Sequence, residues 1–251
     1  MLFLRGRLTF TPPINPKGMR KYLQFLFPVL FLFLFSCSGK LSDAAQSGLK
    51  GRVKYTREKR YDPTRSGDSW VAGEPLDNSI RVVHFDEEGN FLESFYIDIN
   101  GDTLAKSTCR RENGDIVEEI FFSRFWINPS EARMVQASRT LLERAAEDQM
   151  NFEVWQGDQK MNEGANYYDK KGRLIRQVYV LDRQELTNYF IYEKNLLVEK
   201  YQENIRGERS APELYEYDNF DDHGNWMLKL IYYDEAKISP DIALSREIVY
   251  Y

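Results

Sequence analysis

The chain is poor in the residues that build reactive centres. It holds two cysteines and two histidines in 251 residues. Two cysteines exclude a disulfide framework and a Cys-rich zinc site. Two histidines leave little for a histidine-based metal centre. No G-x-S-x-G, H-E-x-x-H, Walker loop or dinucleotide fingerprint is present. An apolar run long enough for a spanning helix, about 20 residues, is also missing. Basic charge is short as well: 34 Lys+Arg stand against 39 Asp+Glu, and the net charge of −5 speaks against a nucleic-acid partner. What the chain has is a hydrophobic fraction of 42% and an aromatic fraction of 14%, enough for a packed core.

Charge is unevenly spread. Arg5, Arg7, Lys17, Arg20 and Lys21 lie in residues 1–36, which contain no acid. Within that segment Leu23 to Phe35 reads LQFLFPVLFLFLF, 13 residues with Gln24 alone polar. This is the length of a signal-peptide apolar region. Met19-Arg20-Lys21 precedes the run and Leu34-Phe35-Ser36-Cys37 ends it. The arrangement resembles a bacterial lipoprotein signal, in which a Cys after a small residue is lipidated and becomes the mature N-terminus. Leu34 and Ser36 fit that pattern, and the large Phe35 departs from it. The resemblance implies a signal peptide over 1–36, with Met19 a candidate initiator, and lipid on Cys37. It also implies a membrane partner through that lipid and an outer-membrane lipoprotein facing periplasm or exterior. An ordinary cleaved signal peptide and an uncleaved anchor are the alternatives. Residues 37–50 read as the lipidated Cys and a small, polar linker.

From residue 51 the apolar residues are β-branched or aromatic and come in short runs broken by Gly, Asn and Asp, the punctuation of strands and turns. A unit recurs around Gly89, Gly101, Gly114, Gly172 and Gly224. Asp86, Asp98, Asp169 and Asp221 open four of the five turns, their carboxylates suited to accept backbone N–H groups two residues on. Each Gly is expected at positive φ, closing a type I turn with a following bulge. The first three glycines are 12 and 13 residues apart, room for one strand and one turn but not for a crossover helix.

Three copies share a longer template: Phe85-Asp86-x-x-Gly89-Asn90-Phe91, Tyr168-Asp169-x-x-Gly172-Arg173-Leu174 and Phe220-Asp221-x-x-Gly224-Asn225-Trp226. This resembles the YD (Rhs-type) repeat over about a third of the chain. The resemblance implies β-hairpin architecture and no particular activity. Rhs-type arrays build large β shells, and this chain is too short to close one.

The expected fold is therefore mainly β: an antiparallel meander of YD-like hairpins with one packed helix over about 129–149, in a single domain over 51–251. Asn128-Pro129-Ser130-Glu131 has the residues of a helix start. Met134, Val135, Leu141, Leu142 and Ala145 share one helical face. The helix would join meanders over 51–127 and 150–251.

No catalytic residue, metal ligand or cofactor site stands out. Asp218–Asn225 is the densest oxygen cluster, but its spacing does not match an EF-hand loop. His223 reads as a polar turn corner. The reading of function is a non-catalytic binding or structural protein of the cell envelope, with a protein or glycan partner. The alternative is an envelope protein that binds or hydrolyses carbohydrate on a Tyr-rich sheet face. Cys109, the second cysteine, reads as a small core residue.

Overall fold

The computed structural model describes residues 42–251 apart from Pro129, Ser130 and Asp182. Cys37 and the apolar run lie outside the described residues. After a one-turn helix α1 (Asp43–Gln46) the chain forms fourteen strands. They are β1 (Val53–Ser66), β2 (Ser69–Phe85), β3 (Phe91–Ile97), β4 (Thr103–Glu112), β5 (Asp115–Asn128), β6 (Glu131–Ala146) and β7 (Gln149–Gln156). There follow β8 (Gln159–Tyr168), β9 (Leu174–Leu181), β10 (Gln184–Glu193), β11 (Leu196–Asn204), β12 (Glu213–Phe220), β13 (Trp226–Tyr232) and β14 (Ile242–Tyr250). Each pairs antiparallel with its chain neighbours, and β14 pairs with β1, so the sheet closes into a barrel.

Two expectations are corrected here. The helix over 129–149 does not form. Glu131–Ala146 form β6, residues 147–148 a turn and Gln149 the start of β7, with Arg139 opposite Ile120 and Leu142 opposite Phe152. Helix propensity differs by only tenths of a kcal/mol per residue and yields to tertiary pairing. A strand in this place satisfies the edges of both β5 and β7, which a helix would leave open. The same segment also alternates: Thr140 and Leu142 are buried, while Arg139, Leu141 and Glu143 are more exposed. The second correction concerns closure. The chain is too short for an Rhs-type shell, yet its hairpins suffice for a 14-strand barrel, which leaves no edge to cover.

The two faces of the barrel wall differ sharply. Gln202 on β11 donates to the Tyr179 hydroxyl on β9 at 2.6 Å, reaching past β10. Side chains that meet across an intervening strand mark the concave face. Thr56, Ser94, Ser107, Thr140, Asn166, Gln177 and Asn188 share that face and are buried. They lie among Phe121, Leu142, Phe152 and Tyr179, so the interior is filled with side chains of mixed polarity.

The convex face carries many ion pairs. Arg57 on β1 pairs with Glu247 on β14 at 3.6 Å, and Lys106 on β4 with Glu93 on β3 at 2.8 Å. Glu118 on β5 takes Arg110 at 3.0 Å and Arg139 at 3.8 Å from its two neighbours. Lys160 holds Glu153 at 3.1 Å and Glu163 at 2.8 Å. Leu228, Leu230, Tyr232 and Ala243 form a buried apolar patch on this face, with Tyr61, Trp70 and Leu214 packed on them, and Val82, Phe95, Ile120, Phe122, Val178 and Val180 share the face on other strands.

Candidate functional site

Both ends of the described chain reach the same end of the barrel, where Tyr251 N donates to Arg52 O at 2.9 Å. The turns at this end include the three YD-like copies. Each is built the same way. Gly89, Gly172 and Gly224 have φ of 82°, 76° and 76° and donate to the carbonyls of Asp86, Asp169 and Asp221. The side chains of those aspartates accept from the backbone N–H of Asn90, Arg173 and Asn225 at 2.8–2.9 Å. A residue is then inserted as a bulge in the next strand, between Phe91 and Glu93 and again between Leu174 and Arg176.

Gly101 closes a turn of the same make at the opposite end, with φ 85°. Gly114 differs from expectation. Its turn has two residues, Asn113 and Gly114, both at positive φ (52° and 88°), which is a type I′ hairpin. Asn204-Ile205-Arg206-Gly207-Glu208 forms a further Asp-type turn that sequence reading passed over, because Asn204 replaces the opening Asp.

Residues 42–50, read above as linker, are part of the fold. They lie against the three YD-like turns in order. Ala44 N donates to Gly89 O at 2.9 Å, Gln46 stands over Gly172, and Lys50 Nζ donates to Gly224 O at 3.1 Å. A Cβ on Gly89 would meet Ser42 Oγ at 2.6 Å, and one on Gly224 would meet Lys50 Nζ at 2.9 Å. The absence of side chains at these turns therefore serves the close approach as well as the positive φ. Asp43, 1% exposed, accepts from Phe91 N at 2.6 Å and pairs with Arg111. Burial pushes its carboxyl up to about 6, against the pull of the Phe91 amide and Arg111. His223, the expected turn corner, stacks on Tyr250 with ring centroids 4.1 Å apart.

Deeper inside, four strands contribute one cluster of charge. Glu58 on β1 accepts from Arg246 on β14 at 2.8 and 2.6 Å and from Arg81 on β2 at 3.3 Å. Lys229 on β13 faces the same group. The side chains of Glu58, Arg81 and Arg246 are only 10–12% exposed. Burial raises the Glu58 carboxyl, but Arg246, Arg81 and Lys229 overcome it and hold the group at about 2. Burial lowers Lys229 to about 8, helped by Arg246 and Arg81 and opposed by Glu58. Glu119, also buried, is pushed up to about 8 by burial, which Arg81 offsets in part. No local motif announces this cluster. Its members are far apart in sequence and meet only once β14 closes on β1.

A groove of about 590 Å³ crosses β6 to β10, lined by Leu141, Glu153, Glu163, Tyr167, Val178 and Glu185 among others. Glu153 and Glu163 share Lys160, and its hydrogen bond holds the Glu153 carboxyl below its usual value. The tyrosines do not form one row. Tyr179, Tyr215 and Tyr217 face the interior, while Tyr189 and Tyr201 stack outside at 5.0 Å. Among the described residues no group of His, Cys, Asp and Glu is placed to hold a metal.

No family model and no curated protein matches the chain. Among solved structures it is similar to a porin-like protein from Bacteroides vulgatus, with 11% identity and a TM-score of 0.42 over 79% of this chain and 98% of that one. A porin-like protein from Bacteroides uniformis matches at 6% identity and a TM-score of 0.29, over 80% of this chain and 98% of that one.

Proposed function

We propose that the chain is a lipid-tethered, non-catalytic binding protein of the bacterial envelope, whose barrel stands in water beside the membrane. The observation that carries this reading is the charged convex face. A Lys or Arg on the lipid face of a spanning barrel costs roughly 2–4 kcal/mol at the midplane. Here most strands place an ion there, from Arg57 and Lys106 to Glu153 and Glu247. Strand length does not separate the two cases: five strands have seven or eight residues and nine have nine or more, where a spanning strand needs about 9–11.

The tether follows from the lipoprotein-like signal. Only residues 38–41 separate Cys37 from Ser42, which is seated on the barrel end. Five residue steps reach about 17 Å at most. Lipid on Cys37 would hold that end toward the membrane and turn the opposite end away from it. Labelling cells with a radioactive fatty acid tests this: label is expected in the wild type and absent in Cys37→Ala. Equal label in both would refute the tether.

The groove over β6–β10 favours a second reading, a carbohydrate-binding surface with Tyr167 as the stacking residue. Arg176 already covers that ring, its guanidinium 3.9 Å from the centroid, so a sugar must displace it. Glycan-array binding that Tyr167→Ala abolishes would support this reading.

A further inference from the structure

We propose that the barrel interior binds an oxyanion, a phosphate or carboxylate group, between Lys229 and Arg246. The inference is independent of the lipid tether. It starts from a charge imbalance. Three cations, Arg81, Lys229 and Arg246, face one carboxylate, Glu58. Both oxygens of that carboxylate are already in use, Oε1 by Arg246 and Oε2 by Arg81. The neighbouring acids do not fill the gap. Glu213 takes Lys200 at 2.9 Å and the Tyr215 hydroxyl at 2.6 Å. Glu119, at about 8, is mostly protonated at neutral pH.

Two donors remain. Arg246 directs Nε and Nη2 at Glu58, while its buried Nη1 has no partner. Lys229 makes no hydrogen bond or ion pair among the described residues. Its Nζ rests against aromatic faces, 5.3 Å from the Trp226 ring centroid and 5.4 Å from that of Tyr215. At about 8 it is still mostly charged at pH 7. The two donors are close. Lys229 lies opposite Leu244, which makes Arg246 its diagonal neighbour on the same face. Both heads also flank one indole, with the Arg246 guanidinium 3.4 Å from the Trp226 centroid. Lys229 is half-buried. A buried guanidinium edge and an unpaired ammonium side by side form a receptor for a planar or tetrahedral oxyanion.

The test is calorimetric titration of the purified chain with inorganic phosphate and, separately, with acetate, repeated on Lys229→Met and on Lys106→Met. Lys106→Met removes a lysine of the convex face. The expected result is one saturable site in the wild type, at least ten-fold weaker in Lys229→Met and unchanged in Lys106→Met. Which anion binds more tightly identifies phosphate or carboxylate as the natural head group. Should Lys229→Met not fold, Lys229→Gln serves in its place, and the anion-dependent rise in wild-type melting temperature is a second readout. Absence of saturable binding and of any melting shift with both anions would overturn the proposal. So would equal affinity in the wild type and the Lys229 variant.

Discussion

Asn225 grips the backbone of Lys50 on both sides. Lys50 N donates to Asn225 Oδ1 at 2.7 Å, and Asn225 Nδ2 donates to Lys50 O at 2.9 Å. The two residues are 175 positions apart, so the contact ties the first described segment to the last YD-like turn. The same amide also donates to the Tyr250 hydroxyl at 2.8 Å, which brings β14 into the joint.

Asn225→Ala should release residues 43–50 from the barrel end. Two hydrogen bonds to backbone are lost and their partners are left half-buried, a cost of about 2 kcal/mol. Amide exchange should quicken at Ala44, Gln46 and Lys50 while the strands stay protected. Unchanged exchange in that segment would show that it is held without this clamp.

The turn glycines separate two effects that usually travel together. Gly89 and Gly101 both have positive φ, but a Cβ meets Ser42 only at Gly89 and finds nothing within 4 Å at Gly101. Replacing Gly101 with Ala should cost about 1 kcal/mol from the left-handed backbone alone. Gly89→Ala should cost clearly more, because the segment must also move. Equal losses in denaturant melts would mean that residues 42–50 do not press on the turn.

These turns were legible in the sequence because their chemistry is local. Asp86, Asp169 and Asp221 act within four residues of themselves, and a glycine marks each left-handed position. Closure was not legible, since pairing Thr56 with Ile248 depends on nearly 200 residues between them. Residues 132–149 misled for a related reason. Ala, Leu, Arg and Glu favour helix only weakly, and the open edges of β5 and β7 decide the matter. The interior cluster is the extreme case. Glu58 and Arg246 lie 188 positions apart, and a buried Glu or Arg looks like any other in a chain with 73 charged residues.

Two buried glutamates should give opposite pH signatures. Glu58 has its folded value lowered to about 2 from 4.5. Its contribution is present above the unfolded value and is lost as pH falls through the folded one, about 3 kcal/mol in all. Glu58→Gln should therefore be destabilised at pH 7, with the gap closing toward pH 2. Glu119 has its folded value raised to about 8. Its contribution is complete below 4.5 and is lost as pH rises through 8. Glu119→Gln should match the wild type in acid and exceed it at pH 9. Melts across pH in both variants check this, and parallel curves in either would contradict the assigned surroundings.

Cys109 should react slowly. Its Sγ donates to Phe91 O at 3.6 Å, and burial raises the thiol above its usual value. DTNB should modify it at an appreciable rate only after denaturant is added. Rapid stoichiometric reaction of the folded chain would place the side chain outside the interior.

The charged convex face is the heart of the account, and solubility tests it most directly. A chain beginning at Ser38, produced without signal or lipid, should fold in plain buffer. Size exclusion without detergent should show a dispersed, β-rich species, and added detergent should leave its melting temperature unchanged. A chain that precipitates in buffer and acquires β structure only in micelles would contradict the account, because its convex face would then need lipid.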